Sequence, residues 1–160
     1  MTGETLSSKQ GGGVALPEVG YSFESAGRTI TETDVVNFAC LSGDFNRLHV
    51  DREFASNTRY GQRIAHGLLV LSVLSGLTTQ TLEYRQLEPV VVALVNLSCT
   101  FTRPTFIGDT VFSRVTVVER VRNVKPGRDQ MTFRREAVNQ RGEVVVQADF
   151  IVQVRSGEPA

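Results

Sequence analysis

Gly67-Leu68-Leu69-Val70-Leu71-Ser72-Val73-Leu74-Ser75-Gly76-Leu77 is the stretch that decides the fold. Its pattern predicts a helix from Gly67 to about Glu83, apolar on nearly every side, with small residues at Ser72, Ser75 and Gly76. A helix without a polar face is one surrounded by protein. The apolar part is too short, and too interrupted by serine and glycine, for a bilayer span of about 20 residues. Another part of the chain has to cover it.

That cover lies C-terminal to it. After Pro89 the hydrophobic period changes from helical to two, the signature of a half-buried strand. Val91, Ala93, Val95, Leu97, Cys99 and Phe101 fall on one face, with Asn96, Ser98 and Thr100 on the other. Further strands are expected at about 110–121, 128–138 and 143–154. The last places Val144, Val146, Ala148, Phe150, Val152 and Val154 on one side. Lys125-Pro126-Gly127 and Asn139-Gln140-Arg141-Gly142 are turn sequences, so the strands read as an antiparallel meander. A sheet with one apolar face and a helix with no polar face solve each other's problem. The expected class is α+β, with an antiparallel sheet wrapped around a central apolar helix.

Upstream of the helix the elements are shorter. Residues 1–16 read as a polar, glycine-rich flexible tail and 157–160 as a C-terminal tail, leaving one domain over 17–156. A short strand is expected near Tyr21–Ser25. Thr31 or Thr33 caps a helix over 34–41, with Val35, Val36, Phe38, Ala39 and Cys40 as its apolar surface. Ser42-Gly43 ends that helix, Asp44–His49 is the loop beyond it, and Asp51 caps a short helix over 52–56.

The bulk composition narrows the partners. The chain of 160 residues has 41% hydrophobic and 21% charged residues, which suits a single soluble domain. With 17 basic and 17 acidic side chains and no long run of either, nothing selects a nucleic acid or an anionic membrane. The amino terminus lacks the basic start and apolar middle of a signal peptide, so a cytoplasmic location is expected. Cys40 and Cys99 sit in apolar patterns and read as buried free thiols, and two cysteines with two histidines at no close ligand spacing argue against zinc.

Chemistry concentrates in one short region. Asp44 and His49 stand at Asp-x4-His spacing, and His66-Gly67 opens the apolar helix, whose first backbone N–H groups lack intrahelical partners. A carboxylate, an imidazole and a free helix start are the parts needed for proton transfer beside a carbonyl.

Ser42-Gly43-Asp44-Phe45-Asn46-x-Leu48-His49, Phe54-Ala55, Ile64-Ala65-His66-Gly67 and Leu74-Ser75-Gly76-Leu77 together resemble the signature of MaoC-like hot-dog-fold proteins. Within these they are closest to the (R)-specific enoyl-CoA hydratases. Pro104-Thr105-Phe106-Ile107-Gly108-Asp109 resembles the family's connection between strands, and the likeness spans about residues 20–155. The resemblance implies a single hot-dog fold in a homodimer or larger homo-oligomer, acting on acyl-CoA or acyl-carrier-protein thioesters. It makes Asp44 and His49 the catalytic pair and the Gly67 N–H the donor to the thioester oxygen. Ser75 matches a serine near the site, Asn46 a loop-shaping residue, and His66 the residue that marks the helix start. The departure is Arg47, where the family very often has proline; its side chain is either solvated or turned to an acidic group of the substrate.

The implied reaction is addition of water to a trans-2-enoyl-CoA to give an (R)-3-hydroxyacyl-CoA, or the reverse. Asp44 is read as the base toward water and His49 as the proton donor, with the exchanged roles left open. No metal or cofactor is called for. A hot-dog thioesterase and a non-catalytic acyl-binding or partner subunit of a heteromeric dehydratase are the alternatives. Arg63, Arg103 and Arg122 are candidates for CoA phosphates.

Overall fold

The computed structural model describes residues 14–156. The chain runs through β1 (Ser22–Glu24), β2 (Arg28–Thr29), α1 (Glu32–Ser42), α2 (Arg47–Val50), α3 (Arg52–Ser56), α4 (Gly67–Thr79) and α5 (Leu82–Leu87). A 3₁₀ turn (Glu88–Val90) then leads into β3 (Val91–Phe101), β4 (Thr110–Lys125), β5 (Arg128–Asn139) and β6 (Val144–Arg155). All pairings are antiparallel. The sheet order is β1-β4-β5-β6-β3, with β2 also on β4, so the meander β4-β5-β6 is flanked by β3 at one edge.

The expected wrapping is present: α4 packs on β4, β5 and β6. Its Leu69, Val70, Val73, Leu74 and Leu77 join Val111, Val115, Val117, Phe133, Val146, Phe150 and Val152 in one core. Each such side chain, fully buried, stabilises the fold by about 1.5–3 kcal/mol relative to exposure. This is the hot-dog arrangement that the resemblance implied.

Several expectations need correction. The predicted helix from Gly67 to Glu83 is two helices: α4 stops at Thr79, and the Thr81 hydroxyl starts α5 by accepting the Tyr84 N–H at 3.2 Å. α4 is also not enclosed on every side, since Leu68 and Ser72 are exposed. In β3 the alternation is interrupted by register shifts between Val91 and Ala93 and between Leu94 and Asn96. Of the predicted apolar face only Val91 and Cys99 pack against the core, because β3 is an edge strand with little over either face. α1 buries only Val35 and Ala39, one i, i+4 stripe, which leaves Cys40 exposed rather than buried. Cys40 and Cys99 are free thiols, as expected, with Cys99 half-buried.

The flexible-tail expectation for residues 1–13 and the tail over 157–160 lie outside the described residues. Val14 and Leu16 already pack against the core, so the folded part begins a few residues before Pro17. Among the described residues, no helix is long and apolar enough to cross a membrane.

Candidate active site

α1 delivers the first site residue. Thr31, the first of the two proposed caps, accepts the Asp34 N–H at 3.2 Å, while the Asp34 carboxylate accepts the Thr31 N–H at 2.8 Å, a reciprocal box that fixes the start of the helix. The helix ends at Gly43, whose φ of 74° is a left-handed exit that a side chain would strain. That exit turns Asp44 out into solvent. The Asp44 Oδ1 accepts the Asn46 N–H at 3.2 Å, and the Asn46 side chain accepts the Leu48 N–H at 3.0 Å.

Asn46 is therefore an N-cap, and His49 stands on the one-turn helix α2 rather than in a loop. A helix of four residues is too short to leave a periodic signature, and only its asparagine cap hints at it. Arg47 occupies the first helical position, where a missing N–H costs nothing and proline fits well. Its guanidinium pairs with Asp51 at 2.9 and 3.0 Å and lies 4.3 Å over the Phe54 ring, while most of the side chain stays exposed to solvent.

The two histidines meet face to face. Their ring centroids are 3.8 Å apart and the planes differ by 30°. Nδ1 of half-buried His49 donates to the Ile64 carbonyl at 2.8 Å; a carbonyl only accepts, so Nδ1 carries the hydrogen and Nε2 is left uncommitted. By the same logic Nε2–H of His66 donates to the backbone carbonyl of Asp44 at 2.9 Å. His66 is 2% exposed, with Phe38 packed at 5.0 Å. Burial pushes its pKa below the usual histidine value, and neighbouring His49 pushes the same way, against the pull of the Asp44 carbonyl and carboxylate.

One ligating atom each from Asp44, His49 and His66 falls within 4.8 Å of the others, a cluster that sequence spacing did not reveal. The set has the donor types of a transition-metal site. Its geometry fits one poorly: the in-plane lone pairs of stacked rings run in separate layers rather than converging on one point. The Asp44–His49 pair within it is better suited to passing protons through a shared water.

Gly67 opens α4, and no acceptor for its N–H occurs among the hydrogen bonds of the described residues. The Phe101 ring packs onto it so closely that a Cβ would meet ring carbons at 2.8 Å. Phe101, read from sequence only as an inward residue of β3, is half-exposed and roofs the helix start; no one-dimensional pattern carried that signal. Ser75 lies two turns further along α4, about 12 Å of helix from Gly67, half-buried and without a described hydrogen bond.

The approach to His66 is pinned by the segment before β4. The Ala65 N–H donates to the Thr105 carbonyl at 2.8 Å, and Ile64 forms a β-bridge with Phe106. The Asp109 carboxylate accepts from the Phe106 N–H (2.9 Å), Gln140 (2.6 Å) and Arg141 (3.2 Å). Burial alone would raise its pKa, but these donors together hold it below the usual aspartate value. Of the arginines proposed for phosphates, Arg63 is bound to Glu32 at 2.7 Å and Arg103 lies 3.4 Å from Glu143, while Arg122 is exposed.

The comparisons with known proteins bear on the family and the fold. The family model described as MaoC like domain matches residues 15–140. An (R)-specific enoyl-CoA hydratase of Rhodospirillum rubrum is 37% identical over 130 residues, 81% of this chain and 83% of that protein. A 3-hydroxybutyryl-CoA dehydratase of Methylorubrum extorquens is 34% identical over 143 residues, 89% of this chain and 84% of that one. The chain spans only 28% of Protein MaoC from Klebsiella aerogenes, to which it is 36% identical over 97 residues, 61% of its own length. Among solved structures, a monoamine oxidase regulatory protein from Archaeoglobus fulgius superposes with a TM-score of 0.83 at 37% identity, over 89% of this chain and 93% of that chain. The (R)-hydratase from A. caviae gives 0.67 at 32% identity, over 85% and 96%. On the family match, the identities and the shared fold, the chain belongs to the MaoC-like dehydratase domain family of hot-dog-fold proteins.

Proposed function

We propose that this protein adds water across the double bond of a trans-2-enoyl-CoA to form an (R)-3-hydroxyacyl-CoA, and catalyses the reverse dehydration. The observation that carries the reading is the convergence of Asp44 and His49 within 4.8 Å, beside the uncommitted N–H of Gly67. Asp44 takes a proton from water as the hydroxyl oxygen bonds to the β carbon. The electron pair of the double bond moves toward the α carbon and the thioester oxygen. The Gly67 N–H, at the positive end of α4, receives the charge that develops there. For this step His49 enters as the imidazolium, with Nδ1–H held by Ile64 and a second proton on Nε2; it delivers the Nε2 proton to the α carbon, and the proton that Asp44 took from water returns to His49 through solvent, restoring both groups. The bond from Nδ1 to Ile64 keeps the His49 ring in one orientation with Nε2 free for this transfer.

Room for the substrate adjoins the site. A groove of about 340 Å³ between α1 and α4 is lined by Phe38, Leu41, Leu69, Val73 and Leu77. It begins at the residue that packs on His66, so it suits the acyl chain. A cavity of about 420 Å³ contains Phe101, Pro104, Arg59 and Arg103 and suits the anionic carrier end. The Arg59 guanidinium is bonded to the Tyr60 hydroxyl rather than to a carboxylate, which leaves its charge for phosphate.

The test is direct. With crotonyl-CoA, the absorbance of the conjugated thioester should fall without release of free thiol. Asp44→Asn and His49→Ala should each lower kcat by about 10²–10⁴-fold, the usual worth of a general acid or base, while circular dichroism stays unchanged. Thiol release would replace the reading with a thioesterase. Inertness across chain lengths would leave an acyl-binding or partner subunit, and near-wild-type turnover in either variant would remove the pair from catalysis.

A further inference from the structure

We infer that His66 is the positioning residue of the site: it holds the Asp44 backbone through its Nε2–H and the His49 ring through face-to-face packing. This rests on the proposed reaction, but it assigns a task to a side chain that the reaction itself does not use.

Four observations support it. The Nε2–H···O=C bond to Asp44 spans 22 residues and is a tertiary tie on the residue whose carboxylate is in solvent. The remaining ties on Asp44 are weaker and local, namely its N–H to the Ser42 hydroxyl and its Oδ1 to the Asn46 N–H, both at 3.2 Å. Without His66, a left-handed glycine exit and two short turns would be all that aimed the carboxylate. The second observation is the 3.8 Å stack on His49, which restrains that ring from one face while Ile64 restrains its edge.

The third is burial. At 2% exposure His66 is shut away from solvent, which suits it to holding its neighbours rather than to exchanging protons with water. The fourth is its other nitrogen. Nδ1 is buried with no hydrogen-bond partner among the described residues. An unpartnered buried acceptor is ordinarily selected against. Here it has a consequence: a donor placed there would compete for the tautomer, and protonation would set a cation in the core against His49. With Nδ1 bare, the ring is neutral and Nε2 is obliged to be the donor that Asp44 needs. Burial, which lowers the pKa of His66, acts in the same direction. A neutral ring also adds no repulsion when His49 carries the proton it delivers.

Two substitutions separate the two contacts. His66→Gln places an amide Nε2 the same number of bonds from Cα, keeping a donor for Asp44 without the ring. His66→Phe keeps a flat ring against His49 and removes the donor. Crotonyl-CoA hydration, run alongside thermal unfolding, should show KM within about threefold of wild type for both, since neither touches substrate. The kcat of the Phe variant should fall about 100-fold, the scale of a misplacement near 1 Å, with the Gln variant recovering to within about tenfold. Equal losses in both variants, or a rise in KM in place of a fall in kcat, would overturn the assignment. A second measurement needs neither variant nor substrate: long-range ¹H–¹⁵N spectra of the wild-type protein at pH 7 should show His66 protonated at Nε2 alone. A proton on Nδ1 would refute it. A wild-type protein inert on every enoyl thioester would sink the hydratase reading, whereas active wild type with unaffected His66 variants would sink only this inference.

Discussion

At the scale of single residues, the contact between Gly67 and Phe101 is the most constraining in the site. Added Cβ atoms essentially never sit 2.8 Å from ring carbons, so Gly67→Ala forces either the ring or the first turn of α4 to move. Half-exposed Phe101 is the softer partner. The expected outcome is a fall in kcat/KM of roughly 10–100-fold for Gly67→Ala, recovered in large part when Phe101→Leu is added, with the interaction energy read from a double-mutant cycle. Strict additivity of the two substitutions would show that the ring is not what the glycine accommodates. Arg47 makes a complementary point. Sequence alone left its side chain between solvent and substrate, because i, i+4 pairing with Asp51 becomes visible only once residues 47–50 are known to be helical.

At the scale of elements, the connection over residues 105–109 controls how α4 is aimed. Buried Asp109 gathers three donors from two neighbouring segments, and the same connection receives the Ala65 N–H just ahead of His66. A carboxylate whose folded pKa is depressed contributes stability above its unfolded pKa and loses it as pH falls through the folded value. The ordinary aspartate value is 3.8, so this contribution is complete above about pH 4–5 and disappears below. Denaturant unfolding followed from pH 6 to pH 3 should therefore show a shallower acid loss for Asp109→Asn than for wild type. Equal slopes would mean that the carboxylate is no more stabilised in the folded state than in the unfolded one.

The elements that were legible in the sequence are those whose signal is local. The meander strands came within four residues of their observed ends, because alternation and glycine turns bound them on both sides. Asp44, His49 and Gly67 were legible through spacing and family likeness. What could not be seen depended on wider context: the α4–α5 break, where Thr81 caps a new helix within one continuous helical pattern; the exposure of β3, decided by its place at the edge; and the His49–His66 stack between side chains 17 residues apart.

At the scale of the whole molecule, the unfinished surface is β3 and the adjoining face of α4. Leu94, Val95, Leu97 and Phe101 on the strand and Leu68 on the helix are each 42–59% exposed, although β6 already pairs one edge of β3. An edge strand that is long, apolar and unprotected by charge invites another strand. We propose that a second copy of this chain covers it, as the zero net charge permits. Light scattering should give twice the 17.6 kDa chain mass at micromolar concentration, and Leu97→Lys should shift the protein toward monomer. A wild-type monomer would remove the homodimer from the functional reading.

The two side-chain hydrogen bonds that join residues 44–49 to residues 64–66 run in opposite senses, His66 reaching back to Asp44 and His49 forward to Ile64, and the Ile64 N–H adds a backbone bond to the Leu48 carbonyl at 3.2 Å. Together they act as a clasp that closes the chain between them into a loop, so the chemistry does not depend on how long that loop is. Loop closure costs only about 0.6 kcal/mol for each doubling of length. Residues can thus be inserted between positions 50 and 63 at little entropic cost while the acid/base centre stays shut, which makes that loop a place where what enters the site can change without rebuilding the chemistry.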